Sequence, residues 1–270
     1  MSTMTDGLAL GAALHFDHEL AADPAPFTAI VKELFGECSP DSAYRHHYIW
    51  ADQRKSPPGR PLDLRALLAL ITKGSVWRAA VESGLDASDA DQSRVAAGTA
   101  PITKPSHSMT ECRYGFDAAF GANRQRELGT QRILDAVIAF ADAVAARAGV
   151  IQWATSTLYA SCLASCGGSS KLSREQCGHI QDLMYWQPRW GDVVRGPQWG
   201  TFLGAAHVET LGGIARIEQD AGCARVIALR SGGAFLQVTP MDRPIVEDQH
   251  EEGELSRLAA FLGPVMGKRA

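Results

Sequence analysis

Two apolar segments, Arg225-Val-Ile-Ala-Leu229 and Ala234-Phe-Leu-Gln-Val-Thr239, flank Ser231-Gly232-Gly233. β-prone residues on both sides of a Gly-rich loop are hairpin chemistry. A hairpin commits the chain to antiparallel pairing, which regular strand-helix-strand crossovers do not need. Helical patterns occur elsewhere along the chain, so the combination predicts an α+β fold. The expected architecture is a mixed or antiparallel sheet packed with helices.

Leu8 to Phe16 reads as an opening strand. Asp23-Pro24 then reads as an N-cap with proline at the first helical position, followed by Phe27, Ile30, Val31 and Leu34 at helical spacing and by Gly36 as a C-cap. Tyr48-Ile49-Trp50 is a short strand, and Leu64, Leu67, Leu68 and Ile71 form the stripe of a second helix closed by Gly74. Residues 83–108, rich in Ser, Asp, Ala, Thr and Pro, read as a linker or long surface loop. Cys112, Tyr114, Phe116, Ala118 and Phe120 alternate with Arg113, Gly115 and Asp117, the pattern of a half-buried strand. A long helix is expected from about Thr130 to Ala148, ended by Gly149. Strand-then-helix thus occurs twice, near 8–35 and 112–148, suggesting two similar strand-helix halves. A terminal helix runs from about Gly253 to Leu262, with Leu255, Leu258, Ala259 and Leu262 inward and Gly263-Pro264 as its stop. The expected organisation is one domain over residues 1–270, with a sub-boundary in the region 83–110.

The 270 residues can bury a sizeable core, and 46% hydrophobic with 21% charged residues is ordinary for a globular chain. A net charge of −4 gives no general attraction to nucleic acid or an anionic membrane. The N-terminus has no basic segment, and no window reaches the roughly 18 apolar residues of a spanning helix. The expected compartment is the cytoplasm, where Cys38, Cys112, Cys162, Cys166, Cys177 and Cys223 stay reduced.

Catalytic and metal motifs are weak. Cys162, Cys166, Cys177 and His179 could in principle bind zinc, but Cys-x3-Cys is not the two-residue spacing of a zinc knuckle. Gly167-Gly168-Ser169-Ser170-Lys171 lacks phosphate-loop spacing. His46 and His47 point to opposite faces of a strand, and His15 and His18 have no third ligand nearby. There is no Gly-x-Ser-x-Gly and no His-Glu-x-x-His. The expectation is a protein that is not an enzyme and needs no cofactor or metal.

Charge is concentrated in one place. Residues 242–254 contain Asp242, Glu247, Asp248, Glu251, Glu252 and Glu254 against Arg243, a sum of −5, which leaves +1 for the rest of the chain. A solvated loop leading into a helix, with acids complementing its dipole, accounts for the run. A patch that meets a basic partner is the functional alternative, and the two are compatible. Glu247, Asp248, Glu251 and Glu252 are therefore candidate partner-binding residues. Trp186, Arg189 and Trp190, in a Pro/Arg/Gly-rich stretch, read equally as core or as binding anchors.

One stretch carries a family pattern. Gly196-Pro-Gln-Trp199-Gly-Thr-Phe-Leu203 leads into a helical turn with His207 and Glu209 that ends at Leu211-Gly212-Gly213. With the opening strand and helix, Phe235 to Pro240, Asp248 and the terminal helix, it resembles the bacterial type VI secretion system immunity protein family. The segment after the last strand, Pro240-Met-Asp242, keeps the family pattern only in part. The resemblance implies a non-enzymatic inhibitor of a cognate secreted toxin, possessing Trp199, His207, Leu211, Gly212 and Gly213 as a structural motif. Several toxins of such families are nucleases, so occlusion of an active site would be the mechanism, with no direct nucleic acid or membrane contact. The alternatives from other classes are an uncharacterised small-molecule enzyme and a structural or adaptor protein.

Overall fold

A computed structural model describes residues 7–36, 44–50, 64–73, 76–83, 91–98, 114–165, 171–184, 193–194, 196–246 and 253–266. Their strands are β1 Ala9–Phe16, β2 Tyr44–Trp50, β3 Val76–Ser83, β4 Ser93–Gly98, β5 Tyr114–Phe120, β6 Ala148–Ala154, β7 Gly200–Leu203, β8 Arg225–Ala228 and β9 Ala234–Gln237. Their helices are α1 Ala25–Phe35, α2 Leu64–Thr72, α3 Ala122–Leu128, α4 Thr130–Ala143, α5 Thr157–Ser165, α6 Arg174–Met184, α7 Ala205–Thr210, α8 Ile214–Asp220 and α9 Glu254–Leu262.

The strands form one sheet in the order β2-β3-β4-β5-β1-β6-β7-β9-β8. Every neighbouring pair is antiparallel. The fold is α+β, as the hairpin requires. The first strand of the chain lies in the middle: Leu14 stands opposite Phe116 on β5 and Gly149 on β6.

The two faces of the sheet differ in kind. One carries Leu10, Leu14, Phe16, Val81, Val95, Phe116, Phe120, Ile151, Trp153, Phe202 and Phe235, packed with the buried stripes of α1, α2 and α4. Phe140 of α4 lies edge-on to Phe16 at 5.8 Å and tilted on Phe116 at 4.5 Å. Full burial of each such side chain contributes about 1.5–3 kcal/mol. On the other face, small residues let α5 approach: Ala9, Ala119 and Ala154 contact Tyr159, Ala160 and Leu163. The C-terminal part of that face carries Leu203, Ala234 and Leu236 under α7, α8 and α9, with Val208, Leu211, Ile217, Leu258 and Leu262.

Several expectations are corrected. Residues 83–108 are not one linker, because Ser93-Arg-Val-Ala-Ala-Gly98 is an inner strand, with Val95, Ala96 and Ala97 fully buried. Its alanines pack well between two layers but give little β signal. The strand at Tyr114–Phe120 is buried on both faces: Asp117 is 4% and Ala119 1% exposed. The long helix ends at Ala143 rather than Ala148, after which Ala145 takes φ 48° and the chain turns into β6. Gly149 is thus a strand residue, and a Cβ there would meet Leu14 Cδ2 at 2.5 Å and Ala13 O at 2.6 Å. Helix α1 starts at Ala25 with Pro24 as N-cap, while the Asp23 carboxylate accepts from the Ala25 N–H at 3.1 Å. Of the two strand-helix pairs, β1 and β5 are adjacent in the sheet, and α1 and α4 cover the same face. Gly74, Ser56-Pro57-Pro58-Gly59, Cys112 and Arg113 lie outside the described residues.

The Leu-Gly-Gly motif closes α7. The Gly213 N–H donates to Val208 O at 2.8 Å and the Gly212 N–H to Glu209 O at 3.0 Å, the paired bonds of a Schellman stop. Gly212 and Gly213 both have φ 92°, and ψ of 169° puts Gly213 where only glycine is comfortable. Gly213→Ala is expected to lower stability by about 1–3 kcal/mol, measured by urea denaturation. Wild-type stability in that variant would contradict a backbone role.

Candidate binding surface

The motif residues of the C-terminal half divide between two packing clusters. Trp199, 1% exposed, precedes β7 and packs edge-on to Trp153 with ring centroids 5.6 Å apart. Its backbone O accepts from the Val238 N–H at 2.9 Å, joining β7 to β9. His207 is 6% and Leu211 3% exposed. Leu211 packs into the α7–α9 cluster and Trp199 into the aromatic core, so both side chains are packing residues.

His207 borders a cavity of about 740 Å³, whose wall also includes Asp17, Arg147, Thr210, Ser231 and Met266. Arg147 organises this groove through its backbone. Its N–H donates to His15 O at 2.7 Å, and its own O accepts from the Gly204 N–H at 2.9 Å, so the end of β1, the start of β6 and the start of α7 are tied at one residue. Its side chain pairs with Asp17 at 3.1 Å on the rim. The far wall is held by Asp142 at the end of α4, which accepts from Arg230 Nε at 2.8 Å and from the Ser231 N–H at 2.9 Å. Partial burial pushes the Asp142 carboxyl pKa up, but the bonds from Arg230 and Ser231 outweigh it, and the pKa lies below the ordinary value of 3.8. The groove has the size and polar rim to receive a protruding segment of another molecule.

A second polar feature lies on the α5 face of the sheet. Asp117 on β5 is bracketed by Arg78 of β3, in direct contact, and by Arg94 of β4 at 3.5 Å, while Glu82 of β3 approaches Arg94 at 3.3 Å. Asp117 is 5% and Glu82 14% exposed at the side chain. Burial lowers the Arg78 pKa to about 10, with Arg94 acting in the same direction and Glu82 opposing. Burial also raises the Cys162 thiol pKa, opposed by the Arg94 charge, so this sulfur stays protonated and poorly nucleophilic. Cys223 is pushed up to about 11 by burial. Cys162 and Cys223 are free thiols. Among the described residues no group of three or more His, Cys, Asp and Glu is placed to hold a metal.

The acidic candidates Glu247, Asp248, Glu251 and Glu252 lie outside the described residues, as do Trp186, Arg189, Trp190 and Cys166. What is described is how the acidic run is anchored. Val246 forms a parallel bridge with Trp153, and Arg243 pairs with Glu254 at 2.6 Å across the two ends of the segment. No signal in the sequence marked Arg147, Asp142 or the Arg78–Asp117–Arg94 cluster. They become partners only through strand register and the α4–β6 turn.

No family model matches the chain, and no curated protein matches it. Among solved structures it is similar to the Pseudomonas aeruginosa T6SS protein PA0821, at 14% identity and a TM-score of 0.58, over 96% of this chain and 73% of that one. That likeness is one of fold. No helix among the described residues is long and apolar enough to cross a membrane.

Asp142 offers a pH test of the groove wall. Because its folded pKa is depressed, its contribution is full above the unfolded value near 3.8 and is lost as pH falls through the folded value. Asp142→Asn should cost about 1.5–3 kcal/mol at neutral pH, and the gap from wild type should close in acid. A gap that stays constant from neutral pH down to pH 2 in chemical denaturation would contradict this pairing.

Proposed function

We propose that this protein is an immunity protein, which binds a cognate type VI secreted antibacterial toxin and blocks its active site. The observation that carries the reading is the likeness of fold, across nearly the whole chain, to a T6SS protein. Part of the stretch from Trp199 to Gly213 supports it, since Gly204, Ala205, Ala206, His207 and Thr210 line an open groove that could take a partner segment. The acidic run is the electrostatic half of the proposal. A toxin that handles nucleic acid presents Lys and Arg where it holds phosphates. A −5 segment fixed at both ends by Val246 and the Arg243–Glu254 pair would compete for that surface.

The test is protection. If a secreted toxin is encoded beside its gene, co-expression of this chain with that toxin should restore growth, and the two purified proteins should form a stable complex. Growth arrest despite soluble expression would contradict the reading. A small-molecule enzyme would leave the toxin unaffected.

The acidic segment has its own test. Changing Glu247, Asp248, Glu251 and Glu252 to Gln or Asn should slow association about tenfold at low salt and flatten its dependence on ionic strength, with the melting temperature unchanged. Stopped-flow association rates against salt give the answer. Equal rates and equal slopes would remove the segment from the interface.

A further inference from the structure

Strand β8 ends the sheet, with β9 as its one strand neighbour among the described residues. Its exposure pattern is that of an open edge: Arg225 and Ala228 are exposed, Val226 and Ile227 half-buried. The direction of its backbone groups follows from the hydrogen bonds around it. The Val238 N–H donates to Trp199 O, which turns the backbone of Ala234 and Leu236 toward β7 and that of Phe235 and Gln237 toward β8, while past the end of β9 the Val238 O turns back to accept from the Ala224 N–H at 3.1 Å. At the hairpin end the Leu229 N–H donates to Gly233 O at 2.9 Å. Stepping back in twos from Leu229, Ile227 and Arg225 bond inward to Phe235 and Gln237. The N–H and C=O groups of Val226 and Ala228 therefore face outward. Open edges of this kind recruit another strand.

We infer that the β8 edge pairs with the β8 edge of a second copy of this chain, antiparallel about a two-fold axis through Ile227. The argument is self-complementarity. Val226 and Ala228 are equidistant from Ile227, so that rotation places Val226 of one copy opposite Ala228 of the other, and the outward groups meet as two reciprocal pairs with four hydrogen bonds. Side chains and charges agree with the same register. Ile227 meets its own copy in the closer, non-hydrogen-bonded position, covering an apolar side chain now half-exposed. Arg225 falls opposite Leu229 of the second copy, so no like charges face one another directly. A slip by one residue would set inward-bonded groups against outward ones and lose the bonds. The pairing concerns the protein alone and goes beyond the proposed immunity role; neither depends on the other.

Sedimentation velocity on the full chain is the test. Wild type should sediment at twice the 29.0 kDa chain mass. Ala228→Pro removes an outward N–H at an exposed position and should be monomeric with an unchanged melting curve. Ile227→Lys and Ile227→Glu, each carrying like charges at the two-fold axis, should each be monomeric. Their equimolar mixture should recover the dimer, which a merely damaged fold cannot do. A monomeric wild type, a dimer that survives Ala228→Pro, or a mixture that stays monomeric would each overturn the inference.

Discussion

Insertion of β1 between β5 and β6 is the constraint on which the rest of this structure depends. The first strand of the chain pairs with two strands that begin more than a hundred residues later, so neither half of the sheet closes without it. The seam is tight. Leu14 and the backbone of Ala13 leave room at the facing position only for Gly149. Arg147, two residues earlier, hands the same seam on to β7 and α7 through its backbone. A groove wall assembled from Asp17, Arg147 and Ser231 therefore exists only when the whole sheet does.

The two faces divide the work. The aromatic face under α1, α2 and α4 contains most of the large buried side chains and supplies most of the transfer free energy. The opposite face is floored by alanine and glycine, and its close packing admits α5 while burying the Arg78–Asp117–Arg94 network between strands. A buried ion network of this sort contributes little net stability but is costly to break. It fixes register across β3, β4 and β5. The groove and the open β8 edge then fall mainly on the C-terminal half, where short strands leave helix ends and turns exposed.

What was legible in the sequence follows from this division. Helices α1, α2, α4 and α9 each bury one apolar stripe, and α1 and α9 are followed by Gly36 and Gly263, so periodicity exposes all four and punctuation two of them. The β8–β9 hairpin is declared by its Gly-rich turn. Strands β3, β4 and β6 are buried on both faces, and residues such as Ala79, Ala80, Ala96 and Ala97 neither alternate nor show β-branching. Helix α5 is apolar on nearly every side, so its pattern carries no period. Asp117 looked like a solvent-facing strand residue because its cations come from β3 and β4, beyond the reach of local pattern. Trp199 and Leu211-Gly212-Gly213 were readable because a buried indole and a glycine helix stop are local chemistry. The groove was not, since its wall is drawn from six separate segments.

The most direct test of this account is native-state hydrogen exchange across the β1 seam, since the sheet is claimed to be one cooperative unit held by β1. Amides of Leu10 to Leu14 and Val150 to Trp153 should exchange only through global unfolding, with the same free energy and the same denaturant dependence as the inner strands β4 and β7. If β2–β5 and β6–β9 instead opened as two blocks with different free energies, β1 would not be joining them and the account would be wrong.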